Sequence, residues 1–129
     1  MRKDMISSLG VVLALSPAVQ TAAVSGPAVD LSGFSAALAI INTGAVAGSG
    51  DFGVKLQHSD TAVSGDFVDV PAEDMQGAAP ATLPADAAFR LGYIGGKRFL
   101  RVALTKTSGT SIAAGAVIVK GMPALAPVA

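Results

Sequence analysis

The chain has no cysteine and no tryptophan, and only one histidine and one tyrosine. Without cysteine there is no disulfide framework, no thiolate nucleophile and no zinc–thiolate site, and a small exported domain is left without its usual covalent staples. Charge is also scarce. Charged residues are 14% of the chain, and nine basic against nine acidic residues give zero formal net charge. A neutral chain exerts no general pull on nucleic acid or on an anionic membrane, so neither is expected as a partner. No apolar run reaches the roughly 18 residues of a membrane-spanning helix, because Ser16-Pro17 interrupts the one candidate. A soluble mature chain is expected.

What is abundant is small and apolar. Hydrophobic residues make up 51% of 129 positions while aromatics are 5%, with Ala at 25 positions and Gly at 15. That length suits one domain. Burial stabilises by roughly 25 cal/mol per Å² of apolar surface. An alanine-rich core therefore gains less per residue than a leucine-rich one, which favours help from partner subunits.

From Ser35 onward, short apolar or alternating runs are separated by clusters of Gly, Ser, Asp and Pro, the pattern of β-structure. Strands are predicted at 35–43, 52–58, 66–70, 87–94, 97–106 and 111–121. In the run 97–105, Arg98, Leu100, Val102 and Leu104 share the face better suited to a core. Gly95-Gly96 predicts a tight β-hairpin over 87–106, and Ser108-Gly109-Thr110 predicts a second antiparallel pair over 97–121. Residues 77–86, with two prolines and no alternation, read as an extended surface loop. No amphipathic helix is evident. The expected fold is a single all-β domain, an antiparallel β-sandwich with jelly-roll and immunoglobulin-like strand orders both open.

The residues offer little catalytic chemistry. His58, in Leu-Gln-His-Ser-Asp, has Ser59 and Asp60 beside it. Hydrolase triads are assembled from residues remote in sequence, and strand neighbours face opposite ways, so a surface histidine at a strand end is the expectation. Asp66, Asp69, Glu73 and Asp74 form the one acidic concentration. Their spacing lacks the alternating ligands, central glycine and terminal glutamate of a calcium loop, so turn and capping roles are expected. The glycines of 44–51 lack the Gly-Lys-Ser/Thr ending of a phosphate loop and read as a hairpin link. Arg90, Lys97, Arg98 and Arg101, interleaved with Tyr93 and Phe99, faintly evoke a base-stacking platform. In a neutral domain they more readily pair with acids on a neighbouring subunit, which makes Arg98 and Arg101 candidate interface residues.

Residues 1–23 raise a separate question. Arg2 and Lys3 precede a mostly apolar stretch from Ile6 to Leu15, and Thr21-Ala22-Ala23 offers a cleavage site, as in a secretory signal. Against this, Asp4 sits in the basic start and Ser7-Ser8-Leu9-Gly10 thins the apolar run. The expectation is that residues 1–24 are not a cleaved signal. They are read as an ordered N-terminal arm, extended or briefly helical, that packs Val11, Val12, Leu13 and Leu15 on residues 25–129 or on a neighbour. Pro17, Pro123 and Pro127 stiffen the chain ends, so less entropy is lost when they dock, and Pro123 and Pro127 join the candidate interface.

Several stretches together resemble the small virion proteins of tailed bacteriophages and of related prophage or gene-transfer particles. They are Met-Arg-Lys-Asp (1–4), Val-Val-Leu-Ala-Leu-Ser-Pro-Ala (11–18), Val-Asp-Leu-Ser-Gly-Phe-Ser-Ala (29–36), Asn-Thr-Gly-Ala-Val (42–46) and Leu-Gln-His-Ser-Asp (56–60). The clearest is Leu-Gly-Tyr-Ile-Gly-Gly-Lys-Arg-Phe-Leu-Arg-Val (91–102), and Val-Lys-Gly-Met-Pro-Ala-Leu-Ala-Pro-Val (119–128) fits as a last strand and tail. His58 departs from the pattern, standing where such proteins often carry an acid. The resemblance implies a non-enzymatic structural component, without cofactor or metal, on the outside of the head. It would be a decoration or cement protein, or the base of a vertex spike, built from identical subunits on the major capsid protein and in contact with any spike or fibre. Assembly would take place in the host cytoplasm; a tail or neck station is the neighbouring alternative. Two rivals come from other classes. One is an exported small β-sandwich binding domain starting near Val24, with surface glycans as an example of its ligand, and the other is a hydrolase using Asp66, Asp69 or Glu73.

Overall fold

Along a strand, successive side chains face opposite ways, so a run such as Phe99-Leu100-Arg101-Val102 divides itself between core and surface. In the computed structural model, which describes residues 1–125, Leu100, Val102 and Leu104 are at most 1% exposed, while Phe99 and Arg101 on the other face are partly exposed. The strands are β1 (Leu9–Gln20), β2 (Val24–Ser25), β3 (Val29–Asp30), β4 (Phe34–Ala47), β5 (Asp51–Ser59), β6 (Val68–Asp69), β7 (Met75–Gln76), β8 (Ala88–Tyr93), β9 (Phe99–Ser108) and β10 (Ser111–Pro123). Single 3-10 turns at Ile6–Ser8, Ser64–Asp66 and Ala72–Asp74 are the helical elements among the described residues.

The strands form two antiparallel sheets. The first runs β1-β10-β4-β8-β7 and the second β2-β9-β5-β6, with β3 also paired to β9. Ile41, Leu91 and Ile118 of the first sheet meet Phe52, Leu56 and Leu100 of the second in a continuous core. Burying each such side chain stabilises the fold by roughly 1.5–3 kcal/mol. On the first sheet alanine fills much of the inner face, with Ala14, Ala39, Ala114 and Ala116 all buried.

The fold is therefore the expected β-sandwich, and its strand order is that of a jelly roll. The links β4 to β5, β8 to β9 and β9 to β10 each carry the chain from one sheet to the other. An immunoglobulin-like order would instead keep several consecutive strands in one sheet. The two predicted hairpins are thus corrected. Residues 87–94 and 97–106 lie in opposite sheets, as do the halves of 97–121. The segment after Tyr93 wraps the tyrosine ring instead of turning in the plane of a sheet: the Lys97 backbone N–H donates to the Tyr93 hydroxyl at 3.0 Å. The residues between β8 and β9 are long enough to cross the roughly 10 Å between packed sheets.

The link after β4 is likewise a corner between sheets. Gly109, at φ +85°, leaves room for the backbone of Ser49 and Gly50, where a Cβ would collide. The glycines near 44–51 thus let two corners nest at one end of the sandwich. The loop 77–86 is mostly exposed as expected but tethered: the Leu83 N–H donates to the Phe52 carbonyl at 2.8 Å, and the Leu83 side chain is buried.

Residues 1–24 are extended, as expected, but most of them are not an appendage. Leu9–Gln20 is the edge strand of the first sheet, paired antiparallel to β10 from Leu9↔Gly121 to Gln20↔Ile112. The register slips between Leu13 and Leu15, and the bulge turns two consecutive residues, Ala14 and Leu15, into the core. A division at residue 24 separates this strand from the sheet it completes.

Candidate assembly surface

The outward faces of the two sheets differ in chemistry. On the second sheet, Asp69, Gln57 and Arg101 sit side by side across β6, β5 and β9. Gln57 Nε2 donates to Asp69 at 2.9 Å, Arg101 Nε donates to Gln57 Oε1 at 2.8 Å, and Lys55 pairs with Asp69 at 3.0 Å. The hydrogen bonds from Gln57 and Lys55 hold the Asp69 carboxyl below its ordinary value. This is the polar outside usual for an antiparallel sheet with one solvated face.

The first sheet has no such outside. Its register aligns Val11, Val119, Leu38 and Gly92 in one outward row and Leu13, Val117, Ile40 and Arg90 in the next. Arg90 is the one charged side chain in these rows. Val11 is 65% exposed, Leu13 51% and Ile40 37%. The inward row between them, Val12-Ile118-Ala39-Leu91, is equally apolar. Strands with both faces apolar are the signature of a sheet covered on both sides. A groove of about 800 Å³ runs over this face, floored by Leu38 and Val119, with Met5 and Met122 around it and the polar groups of Asp4, Gln76 and Arg90 also in its lining.

The structure distributes the sequence-derived candidates instead of clustering them. Val11 and Leu13 lie on the outward face of the first sheet, whereas Val12 is half-buried on the inward side and Leu15 is in the core. Arg98 forms a two-pronged pair with Asp30, at 3.0 and 2.8 Å, and lies over the Phe99 ring at 5.1 Å. The Arg98 hydrogen bonds, helped by the Ser32 N–H, lower the Asp30 carboxyl to about 2. Arg101 lies over the Phe67 ring at 4.4 Å and donates to Ser64. Lys97 pairs with Asp60 at 2.9 Å. Three cations expected to meet a neighbour's acids are thus engaged within the chain. Pro123 ends β10 opposite Phe34, and Pro127 lies outside the described residues.

His58 corrects another expectation: it is buried, 5% exposed, and not on the surface. Its Nδ1 is 2.8 Å from the Tyr93 hydroxyl, which also accepts the Lys97 N–H. The pair ties β5 to β8, one strand from each sheet. Burial, followed by the nearby Lys97 charge, lowers the His58 pKa from its ordinary value. No sequence signal announced the partnership, since the two residues are far apart along the chain.

Three of the four acids lie in or beside turns as expected, whereas Asp69 lies in strand β6, held by Gln57 and Lys55. Asp66 accepts the Thr61 hydroxyl at 2.6 Å, and Glu73 and Asp74 sit in a 3-10 turn. Among the described residues no group of three or more His, Cys, Asp or Glu side chains is placed to hold a metal ion.

No protein-family model and no curated protein matches the chain. Among solved structures, it is similar to a chain of "Structure of infectious bursal disease virus Gx strain", with a TM-score of 0.40 and 13% identity. The match covers 89% of this chain and 32% of that one, so the chain spans about a third of that protein's length.

Proposed function

We propose that this protein is a non-enzymatic structural component of a phage-type particle. It binds the outside of the head and assembles as a symmetric oligomer on the major capsid protein. There it stabilises the shell or forms the base of a vertex spike or fibre. The observation that carries the proposal is the first sheet, apolar on both faces and uncharged outside except at Arg90. Exposed apolar surface of this extent marks a contact with another molecule. The sequence resemblance to tailed-phage and gene-transfer virion proteins supplies the setting. The jelly-roll order suits it, because that architecture recurs in viral capsid domains, although a fold alone does not fix a role.

The position of β1 weighs against the exported alternative. Cleavage after Ala23 would take Ala14 and Leu15 out of the core and strip β10 of one of its two partner strands. Mass spectrometry and cryo-microscopy of purified particles test the proposal. The chain should be present in stoichiometric amounts and appear as density on the head. Its absence from intact particles would overturn the reading, and density on the tail would move the station.

A further inference from the structure

We infer that the outward face of the first sheet is a subunit interface, covered by a second copy of this chain. The inference rests on the assembly reading above and names the partner of that surface.

The area is right for such a contact. At a rise of about 3.4 Å per residue and a spacing of about 4.8 Å between strands, β1, β10, β4 and β8 together present roughly 700 Å² of face. A standard-size protein interface takes about 800 Å² from each partner. The face is therefore of the size that a stable subunit contact covers, and larger than most lattice-type contacts need.

Charge narrows the choice of occupant. The outward rows of the sheet carry Arg90 as their one charged side chain, with Asp4 lining the groove beside it; a strongly ionic partner would strand most of its own charges here, so the occupant must be mainly apolar as well. This chain supplies such a surface. Val11, Leu13, Ile40, Met5 and Met122 are among its large exposed hydrophobics on or beside the first sheet. The second sheet, in contrast, is laced with charged and amide side chains. Zero formal net charge removes the long-range repulsion that would oppose bringing copies together.

The sheet edge points the same way. β1 borders the first sheet, with β10 on one side and, among the described residues, no strand on the other. From Leu9 to Leu13 it pairs in regular register and contains no proline or charge. An unprotected apolar edge beside an apolar face is a feature that monomeric β-proteins avoid.

The test is the oligomeric state of the purified full chain, measured by sedimentation velocity and light scattering at tens of micromolar. The wild type should run as a closed oligomer. Leu13→Lys and Ile40→Lys should each weaken self-association by ~100-fold or more while keeping the wild-type circular dichroism. Val68→Lys, which alters an exposed apolar residue on the second sheet, should leave the oligomer intact. In case the lysine variants fail to fold, the absence of native cysteine allows a gentler probe. A short bismaleimide should cross-link copies of Ile40→Cys but not of Val68→Cys.

A monomeric wild type, lysine variants that associate like wild type, or cross-linking confined to Val68→Cys would each overturn the inference. If the wild type is monomeric and Leu13→Lys abolishes incorporation into particles, the face is covered by another protein. In that case the inference fails while the assembly reading stands. An oligomer that dissociates as described but is absent from particles would support the inference and overturn the assembly reading.

Discussion

Replacing Gly26 by alanine tests the placement of β1 more sharply than any truncation. Gly26 lies between β2 and β3, and its N–H donates to the Val102 carbonyl at 2.8 Å, which fixes it to the second sheet. A Cβ on Gly26 would overlap the carbonyl oxygen of Ala14 and lie 2.9 Å from its carbonyl carbon, where about 3.5–4.0 Å is comfortable. Both sides of the clash are backbone. Ala14 belongs to the bulged part of β1, and its side chain is fully buried. The methyl group can therefore be admitted only by moving β1 by roughly 1 Å or more, which loosens Ala14 and Leu15 in the core. Overpacking of this kind costs about 1–3 kcal/mol and more where backbone must move, so ~3 kcal/mol is expected for Gly26→Ala. For a domain of this length that corresponds to a melting point lower by ~10 °C. Far-UV circular dichroism during heating and urea titration is the suitable assay, since the chain has no tryptophan. Gly96→Ala is the control: nothing lies within 4 Å of its added Cβ, and stability should stay within ~0.5 kcal/mol. A Gly26→Ala protein as stable as the control would refute the placement of the Ala14 carbonyl against this glycine.

The His58 pKa is lowered in the folded state from 6.5, so the folded form binds fewer protons than the unfolded form once pH drops below that value. Stability should be full above pH 6.5 and decline as pH falls through the folded pKa, and urea midpoints for His58→Asn should lack that part of the slope. Leu100→Ala, at a fully buried position, should cost about 3 kcal/mol, whereas Val63→Ala, at a residue 61% exposed, should change the urea midpoint by less than ~0.5 kcal/mol. The Asp30–Arg98 pair is exposed, where solvent screens ion pairs, so Arg98→Met should leave the thermal midpoint nearly unchanged; a clear drop would show that the pair holds β3 in place. Deleting residues 1–23 should leave β10 an unpaired edge, and the product should aggregate on concentration, as measured by light scattering.

Period-two patterning carried much of the fold. The burial of Leu100, Val102 and Leu104 was legible from their alternation, whereas Arg98, expected on the same face, precedes β9 and is exposed beside Asp30. Sheet membership was not legible, because Gly95-Gly96 looks the same whether the chain turns back in one sheet or climbs to the other. The strand character of residues 9–20 was obscured by the bulge, which breaks alternation at Ala14-Leu15. Val11 and Leu13, read as packing residues, stand exposed on the outward face of the first sheet. Val12 and Leu15 were grouped with them because an irregular register hides which side chains turn inward. The engagement of Arg98 with Asp30, and of His58 with Tyr93, depends on long-range pairing that no local pattern encodes. The stronger signal for the surface was present all along: Ala-Ala-Leu-Ala-Ile-Ile in β4 and Ala-Val-Ile-Val in β10 are apolar at both parities.

The position of β10 between β1 and β4 also sets a timetable. Neither β1 nor β4 can complete its ladder until residues 111–123 have been made, so the first sheet stays open on a nascent chain still lacking them. Folding dominated by such distant pairings is slow, and partly made sheets expose aggregation-prone edges. Residues 9–20 must therefore wait, unpaired and apolar, while some ninety further residues are added. The cellular yield of the protein should depend on how quickly that waiting segment finds its register.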